Sequence, residues 1–154
     1  MSRRAHPYDP HISNSLFARL LILFSKYPIP LIGKLFRGYL NCDFSCRLPD
    51  TIFLPHPYGI VIAESATLGE NVVIGQQVTI GSRNGVLVAP RIGNRVYIAA
   101  GAKVLGDITI GDDVVIGANA VVTKDMPANV IVVGANRILE KTTDYWNPSK
   151  GIEE

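Results

Sequence analysis

An aliphatic residue recurs every sixth position over much of this chain, at Ile62, Leu68, Ile74, Ile80, Val86, Ile92, Ile98, Val104, Ile110, Ile116 and Val122. Counting back one more step lands on His56. A second column of small or aliphatic residues runs two places earlier: Ile60, Ala66, Val72 and Val78, then Val96, Ala102, Ile108, Val114 and Ala120. Glycine follows the main column at Gly69, Gly75, Gly81, Gly93, Gly111 and Gly117, where a sharp corner favours a residue without Cβ strain. A period of six suits neither a free helix, at 3.6, nor a free strand, at 2. It suits short parallel strands joined by corners and wound as a β-solenoid, so a mainly β parallel β-helix is expected.

The same columns locate a disturbance. Asn84 and Pro90 break the second column and Leu87 takes a glycine place, so residues 81–91 read as a loop leaving the coil, with a length that keeps the phase of the repeat. The solenoid domain is expected over 51–139. Ahead of it, residues 1–50 read as a short helical arm. One helix is expected from Ser13 to Tyr27, begun by Ser/Asn and stopped by Pro28, and a second short one from Leu31 to Leu40. The arm carries seven Lys/Arg against three Asp/Glu. It is expected to cap the open end of the solenoid or pack between subunits, with peripheral membrane contact as the alternative. Residues 140–154 read as a polar tail.

A chain of 154 residues suits one domain, and 47% hydrophobic with 18% charged residues excludes a disordered class. A formal net charge of +2 gives no basic footprint for nucleic acid. Arg3 and Arg4 are not followed by an apolar core and a cleavage site, so secretion is not indicated and a cytoplasmic location is expected. The apolar run Leu20–Phe24 is far short of the ~20 residues that cross a bilayer. Cys42 and Cys46, with no second pair and no adjacent histidine, read as reduced thiols rather than metal ligands.

His6 and His11 lie in a proline-rich start. His56 stands at the entry to the repeats between Pro55 and Pro57, so its ring is expected to be held, as a general base requires, although a half-buried packing histidine fits the position equally. HPYGIVIAESATLGENVVIGQQVTIG, and after the loop IGNRVYIAAGAKVLGDITIGDDVVIGANAVVTKDMPANVIVVGANRIL, resemble the hexapeptide-repeat acetyltransferases and most closely their serine acetyltransferase branch. The resemblance covers about residues 56–139. It implies a left-handed β-helix, a homotrimer with sites between subunits, and acetyl-CoA as donor without a metal.

Carried over residue by residue, the resemblance makes His56 the catalytic base. Asp43 resembles the aspartate that orients it, though two residues closer than in that branch, and Glu64 matches an acidic residue of the same rung. Ala100, Gly101 and Ala118 match places along which pantetheine runs, and Lys124 and Arg137 stand where basic residues meet the nucleotide phosphates. Each of these is equally a surface residue with no such role.

The chain also departs from that branch. Pro55 replaces the acidic residue before the histidine, and Val88 and Ala89 replace the Arg-His that holds the amino acid carboxylate. Only about fifty residues precede the repeat, where that branch has a long helical domain. The expectation is therefore an acetyl-CoA-dependent O-acetyltransferase acting on a hydroxyl of a sugar or polysaccharide precursor, with Arg83 and Asn84 touching the acceptor from the loop. Serine O-acetyltransferase activity and a non-catalytic β-helix scaffold are the alternatives. A γ-type carbonic anhydrase shares the solenoid but needs three histidines around a metal, which this pattern does not supply.

Overall fold

A computed structural model describes residues 14–26, 35, 38–85 and 87–141. Helix α1 (Leu16–Lys26) is followed by β1 (Asp43–Phe44), β2 (Val61–Ile62), β3 (Thr67–Leu68), β4 (Val73–Ile74), β5 (Thr79–Gly81) and β6 (Arg91–Ile92). Then come β7 (Tyr97–Ile98), β8 (Lys103–Leu105), β9 (Thr109–Ile110), β10 (Val115–Ile116), β11 (Val121–Val122), β12 (Val130–Val133) and β13 (Arg137–Glu140).

The strands stack into three parallel faces of a prism: β1-β2-β5-β8-β11 on the first, β3-β6-β9 on the second, and β4-β7-β10-β12 on the third. β13 adds to the third face in the antiparallel sense. Ile62 lies under Ile80, and Val104 under Val122, each pair eighteen residues apart, so one coil is three six-residue steps. Of each two-residue strand, the main-column residue points inward. Ile62, Ile74, Ile80, Ile98, Val104, Ile110, Ile116 and Val122 are all essentially solvent-free. The second column fills the corners from inside, with Ile60, Val72, Val78, Val96, Ala102, Val114 and Ala120 at zero exposure. Burying each larger aliphatic side chain contributes roughly 1.5–3 kcal/mol.

One coil is longer. Thr79 pairs with Lys103, Val73 with Tyr97 and Thr67 with Arg91, twenty-four residues apart in every case. The surplus is one full repeat, and it lies between Gly81, where β5 ends, and Arg91, where β6 begins. Because the surplus equals the period, the column in the sequence runs straight through it. Leu87 in this segment is 86% exposed, while its carbonyl accepts a 2.8 Å hydrogen bond from Ser65 Oγ. Ala89 and Pro90 turn inward again, and the Thr67 N–H donates to Pro90 O at 3.2 Å.

The column glycines have a different role from the one expected. None of Gly69, Gly75, Gly93, Gly111 and Gly117 has positive φ. The left-handed corner residues are instead Asn71, Gln77, Arg95, Asp113, Asn119 and Asn129, at φ between 54° and 60°. Glycine is needed because a Cβ at Gly75 would lie 2.7 Å from Ala100 N, and one at Gly111 would lie 2.5 Å from Ala128 N. The constraint is the next coil's backbone.

The inward column also does not extend to His56. Phe53 bridges to Val73 and its carbonyl accepts from Ile74 N–H at 3.0 Å, so the buried Leu54 is the inward residue of the first coil on that face. Leu54 and Ile62 are eight residues apart, two more than a repeat, and the extra length forms a prominent corner that leaves His56 exposed.

Helix α1 covers the first coil. Ser15 caps it, its Oγ accepting from Ala18 N–H at 3.2 Å. Just before the cap, Asn14 donates from Nδ2 to Ile52 O at 2.7 Å and accepts from Leu54 N–H at 2.8 Å. Ala18, Leu21 and Ile22 are buried in one cluster with Phe44, Leu48, Ile52 and Leu54. The second helix expected over 31–40 falls largely outside the described residues, as do His6, His11 and the tail beyond 141.

Candidate active site

The corners linking the third face to the first form one long edge, made of residues 55–60, 75–78, 99–102 and 117–120. His56, Ala100, Gly101 and Ala118 all lie on it. Main-chain bonds tie successive corners together: Gln77 N–H to Tyr58 O at 2.9 Å, Gly101 N–H to Gln76 O at 2.8 Å, and Asn119 N–H to Ala100 O at 2.9 Å. The left-handed conformation recurs up this edge at Gly59, Gln77, Gly101 and Asn119. Gly101 sits so close beneath Asn119 that a Cβ there would overlap Asn119 Oδ1. The edge is therefore a hydrogen-bonded ladder of corners, of which the upper two, 99–102 and 117–120, carry mostly small side chains. His56 is at its lower end, and its carbonyl accepts from Tyr58 N–H at 2.8 Å.

Asp43 is exposed at the start of β1, its N–H donating to Ile60 O at 2.9 Å. The segment it belongs to supports the histidine corner through Gly59 N–H to Leu40 O at 3.0 Å and Cys42 Sγ to Pro57 O at 3.6 Å. Arg137 begins β13, directly after the corner at 134–136 that crowns the same edge.

The remaining candidates are elsewhere. Glu64, Arg83, Asn84 and Lys124 are exposed on the edge that links the first face to the second. Asn84 and Gly85 make a turn with φ of 54° and 73°. The Arg83 stem packs over Gly106, its Cβ 3.4 Å from where a glycine Cβ would be, and Arg83 makes no ion pair among the described residues. A face of about five extended residues separates the two edges by roughly 15 Å, given about 3.3 Å per residue. A small acceptor cannot bridge them within one chain.

Burial pushes the Cys42 thiol up against the opposing effect of main-chain hydrogen bonds from Ile60 and Gly59, and it pushes Cys46 up to about 11. Both thiols are thereby kept protonated, unlike a metal ligand or a nucleophile. Among the described residues no three His, Cys, Asp or Glu side chains gather as a metal site.

Sequence reading missed two groups. Gln76 and Gln77 occupy the histidine edge between His56 and Ala100, and Gln77 O accepts from Lys103 Nζ at 2.6 Å. On the third edge, Asp112 Oδ1 accepts from Asn94 N–H at 2.8 Å, and Arg95 grips Asp113 in two bonds of 2.9 and 2.6 Å. Hydrogen bonds from the Asn94 main chain and side chain hold the Asp112 carboxyl below its usual range, with Arg95 adding to the effect. The available signal was spacing, since Asn94 and Asp112, and Arg95 and Asp113, are one eighteen-residue coil apart.

Residues 89–124 match the family model described as bacterial transferase hexapeptide, six repeats. The chain is 49% identical over 85 residues to a serine acetyltransferase of Mycobacterium tuberculosis, covering 54% of this chain and 37% of that protein. It is 42% identical over 108 residues to one from Staphylococcus aureus, covering 69% and 50%. The crystal structure of a Brucella abortus serine acetyltransferase in complex with coenzyme A superimposes with a TM-score of 0.66 at 32% identity, over 80% of this chain and 53% of that one. The chain thus spans half or less of the length of these two curated relatives.

These likenesses overturn the expected sugar acceptor and the polysaccharide pathway that went with it, and they favour the serine alternative. That expectation weighed Pro55, Val88 and Ala89, which change a corner and a loop, together with the short segment ahead of the repeat, whereas the aligned solenoid keeps 42–49% identity. The repeat, the stacked parallel faces and these relatives together show a left-handed β-helix of the hexapeptide-repeat type that is similar in sequence and fold to the serine acetyltransferases.

Proposed function

We propose that this chain transfers an acetyl group from acetyl-CoA to the hydroxyl of serine, with His56 as general base. The observation that carries the reading is the alignment of His56 with Ala100, Gly101 and Ala118 on one hydrogen-bonded edge, in a solenoid 42–49% identical to serine acetyltransferases. The Brucella abortus relative binds coenzyme A. Here, pantetheine runs along the same edge, where small side chains leave backbone groups within reach, and Arg137 at its upper end meets phosphate.

His56 accepts the serine hydroxyl proton as the oxygen attacks the thioester carbonyl. Main-chain N–H groups stabilise the oxyanion of the tetrahedral intermediate. Collapse breaks the C–S bond, and the imidazolium returns its proton to the departing thiolate. The products are O-acetylserine and CoA.

Asp43, on the strand beside the histidine corner, orients the imidazole. Arg83, with Asn84 beside it, meets the serine carboxylate, and Lys124 and Glu64 share that second edge. A homotrimer resolves the separation of the two edges, because a heterologous contact sets the histidine edge of one subunit against the loop edge of the next.

The test is thiol release from acetyl-CoA with and without serine. Serine should accelerate release in the wild type, and His56→Ala should lower that rate by roughly 10²–10⁴. Absence of any serine-dependent release, or the same trace from both proteins, would mean that His56 is packing and that the solenoid is a scaffold.

A further inference from the structure

Two glutamines separate the histidine corner from Ala100, and strand register tells them apart. Tyr97 pairs with Val73 and Val115, and Ile98 with Ile74 and Ile116. Continuing each strand by two residues sets Gln76, Ala100 and Ala118 in one file up the edge. Gln77 belongs to the next file, with Gly101 and Asn119, the left-handed residues of their corners. Its stem lies over Gly59, with Cγ 3.3 Å from where a Cβ would be.

The coil below loses phase at the Gln76 file. Phe53 bridges to Val73 and Val61 pairs with Thr79, so residues 54–60 span the distance that 74–78 cover above them. The two surplus residues fall in the stretch that carries His56, and the Gln77 N–H to Tyr58 O bond closes its far side. The histidine corner therefore bulges out beneath Gln76. The Gln76 main chain is fixed, its carbonyl accepting from Gly101 N–H at 2.8 Å, while its side-chain amide makes no hydrogen bond among the described residues. No buried side-chain nitrogen or oxygen of the described residues lacks a partner, so this amide opens to the surface of the edge. A half-buried glutamine thus offers two unused N–H donors one rung above the histidine.

We propose that Gln76 is a further catalytic residue, an inference that rests on the serine acetyltransferase reading above: its Nε2 donates to the thioester carbonyl oxygen and holds the charge that develops there. In that reaction His56 takes the serine proton below and pantetheine lies along Ala100 and Ala118 above, so the thioester that ends pantetheine falls at the level of Gln76. Neighbouring coils stand about 4.8 Å apart, which keeps the amide within one rung of both. As the serine oxygen bonds to the carbonyl carbon, the carbonyl π pair moves onto its oxygen and the hydroxyl proton moves to His56. On collapse the C–S bond breaks and the thiolate takes the proton from the imidazolium. Gln76 keeps its own protons throughout. A neutral donor to charge that exists only around the transition state raises kcat and leaves ground-state binding alone, and the pH dependence stays that of His56.

The experiment is steady-state thiol release from acetyl-CoA with serine by the full chain as wild type, Gln76→Ala, Gln76→Glu and His56→Ala. Coenzyme A affinity is measured by titration calorimetry, and circular dichroism checks the fold. The Gln76 side chain has no hydrogen bond to lose among the described residues, so both of its variants keep the fold. The expected result for Gln76→Ala is a kcat lowered by roughly 10²–10³, with the KM for serine and the Kd for coenzyme A within about twofold and the pH midpoint of kcat/KM unchanged. Gln76→Glu keeps the size but sets a carboxylate against the oxyanion, so it falls at least as far. A kcat within about threefold of wild type in either variant overturns the proposal, as does a loss that appears in the KM for serine or in coenzyme A affinity instead. If His56→Ala abolishes serine-dependent release while the Gln76 variants retain it, this proposal alone fails. No serine-dependent release by the wild type fails the reading and the proposal together.

Discussion

Gly75→Ala and Gly81→Ala make a paired test of why glycine follows the inward column. Gly75 directly follows β4 and Gly81 ends β5, and neither has positive φ, so a left-handed backbone is not what separates them. Their surroundings do. A Cβ on Gly75 would lie 2.7 Å from Ala100 N and 3.1 Å from both Ala100 Cα and Ala99 C, all backbone of the next coil. Ordinary contact begins near 3.4 Å, so the coils must part by about 0.7 Å locally. Overpacking of this kind costs about 1–3 kcal/mol. The same displacement stretches the 2.8 Å Gly75 N–H to Ile98 O bond beyond normal range, for about 1 kcal/mol more. Among the described residues, a Cβ at Gly81 would meet only Thr79 Cγ2, at 3.9 Å. Restricting the unfolded chain should then leave Gly81→Ala neutral or stabilised by about 0.4–1 kcal/mol. Urea denaturation monitored by circular dichroism reads both. Gly75→Ala should lose about 2–4 kcal/mol at unchanged m-value. Equal midpoints for the two variants, or a worse result for Gly81→Ala, would refute the close-approach explanation.

Asn14→Ala should loosen the helix from the first coil. It removes the bonds to Ile52 O and from Leu54 N–H and leaves both groups unpaired, for about 2–3 kcal/mol, seen as faster amide hydrogen exchange at Leu54 and a lower urea midpoint. Asp112 makes stability depend on acid. Its folded value is depressed, so its contribution is present above the ordinary carboxylate range and is lost as pH falls through and below about 4. Asp112→Asn should flatten the thermal-stability profile between about pH 5 and 2, and an unchanged slope would count against the Asn94–Asp112 contact.

Periodicity exposed the solenoid because each inward residue recurs at a fixed step, and burial is the strongest force on its identity. What it could not expose were departures that leave the phase intact. Val86 sits on the sixfold column, yet the twenty-four-residue pairing of Thr79 with Lys103 shows that its repeat is surplus to the coil. Conversely, the two residues added between Leu54 and Ile62 break the phase, and counting in sixes placed His56 in the interior column when it lies on an exposed corner. Counting by coil instead of by step makes more of the site legible, since it sets the histidine corner beneath Gln76, Gln77, Ala100, Gly101 and Ala118. Chain order alone does not reveal that Lys124 and Arg83 belong to the next edge, because that depends on which of three nearly identical steps turns which corner.

The reversal at β13 bears on how such a stack ends. A parallel solenoid leaves its last coil with unpaired backbone groups in the same register as its own interior, so a second molecule's first coil is in principle a fitting continuation, and filaments are the hazard. Here the third face closes on a strand running the opposite way, Val130 paired with Glu140 and Val133 with Arg137. An incoming parallel rung finds the wrong polarity at that face. At the other end, Asn14 and α1 already occupy the first coil. The chain thereby carries a stop at each end of an otherwise open-ended lattice, and a deletion that removed β13 would expose a templating surface and favour end-to-end growth.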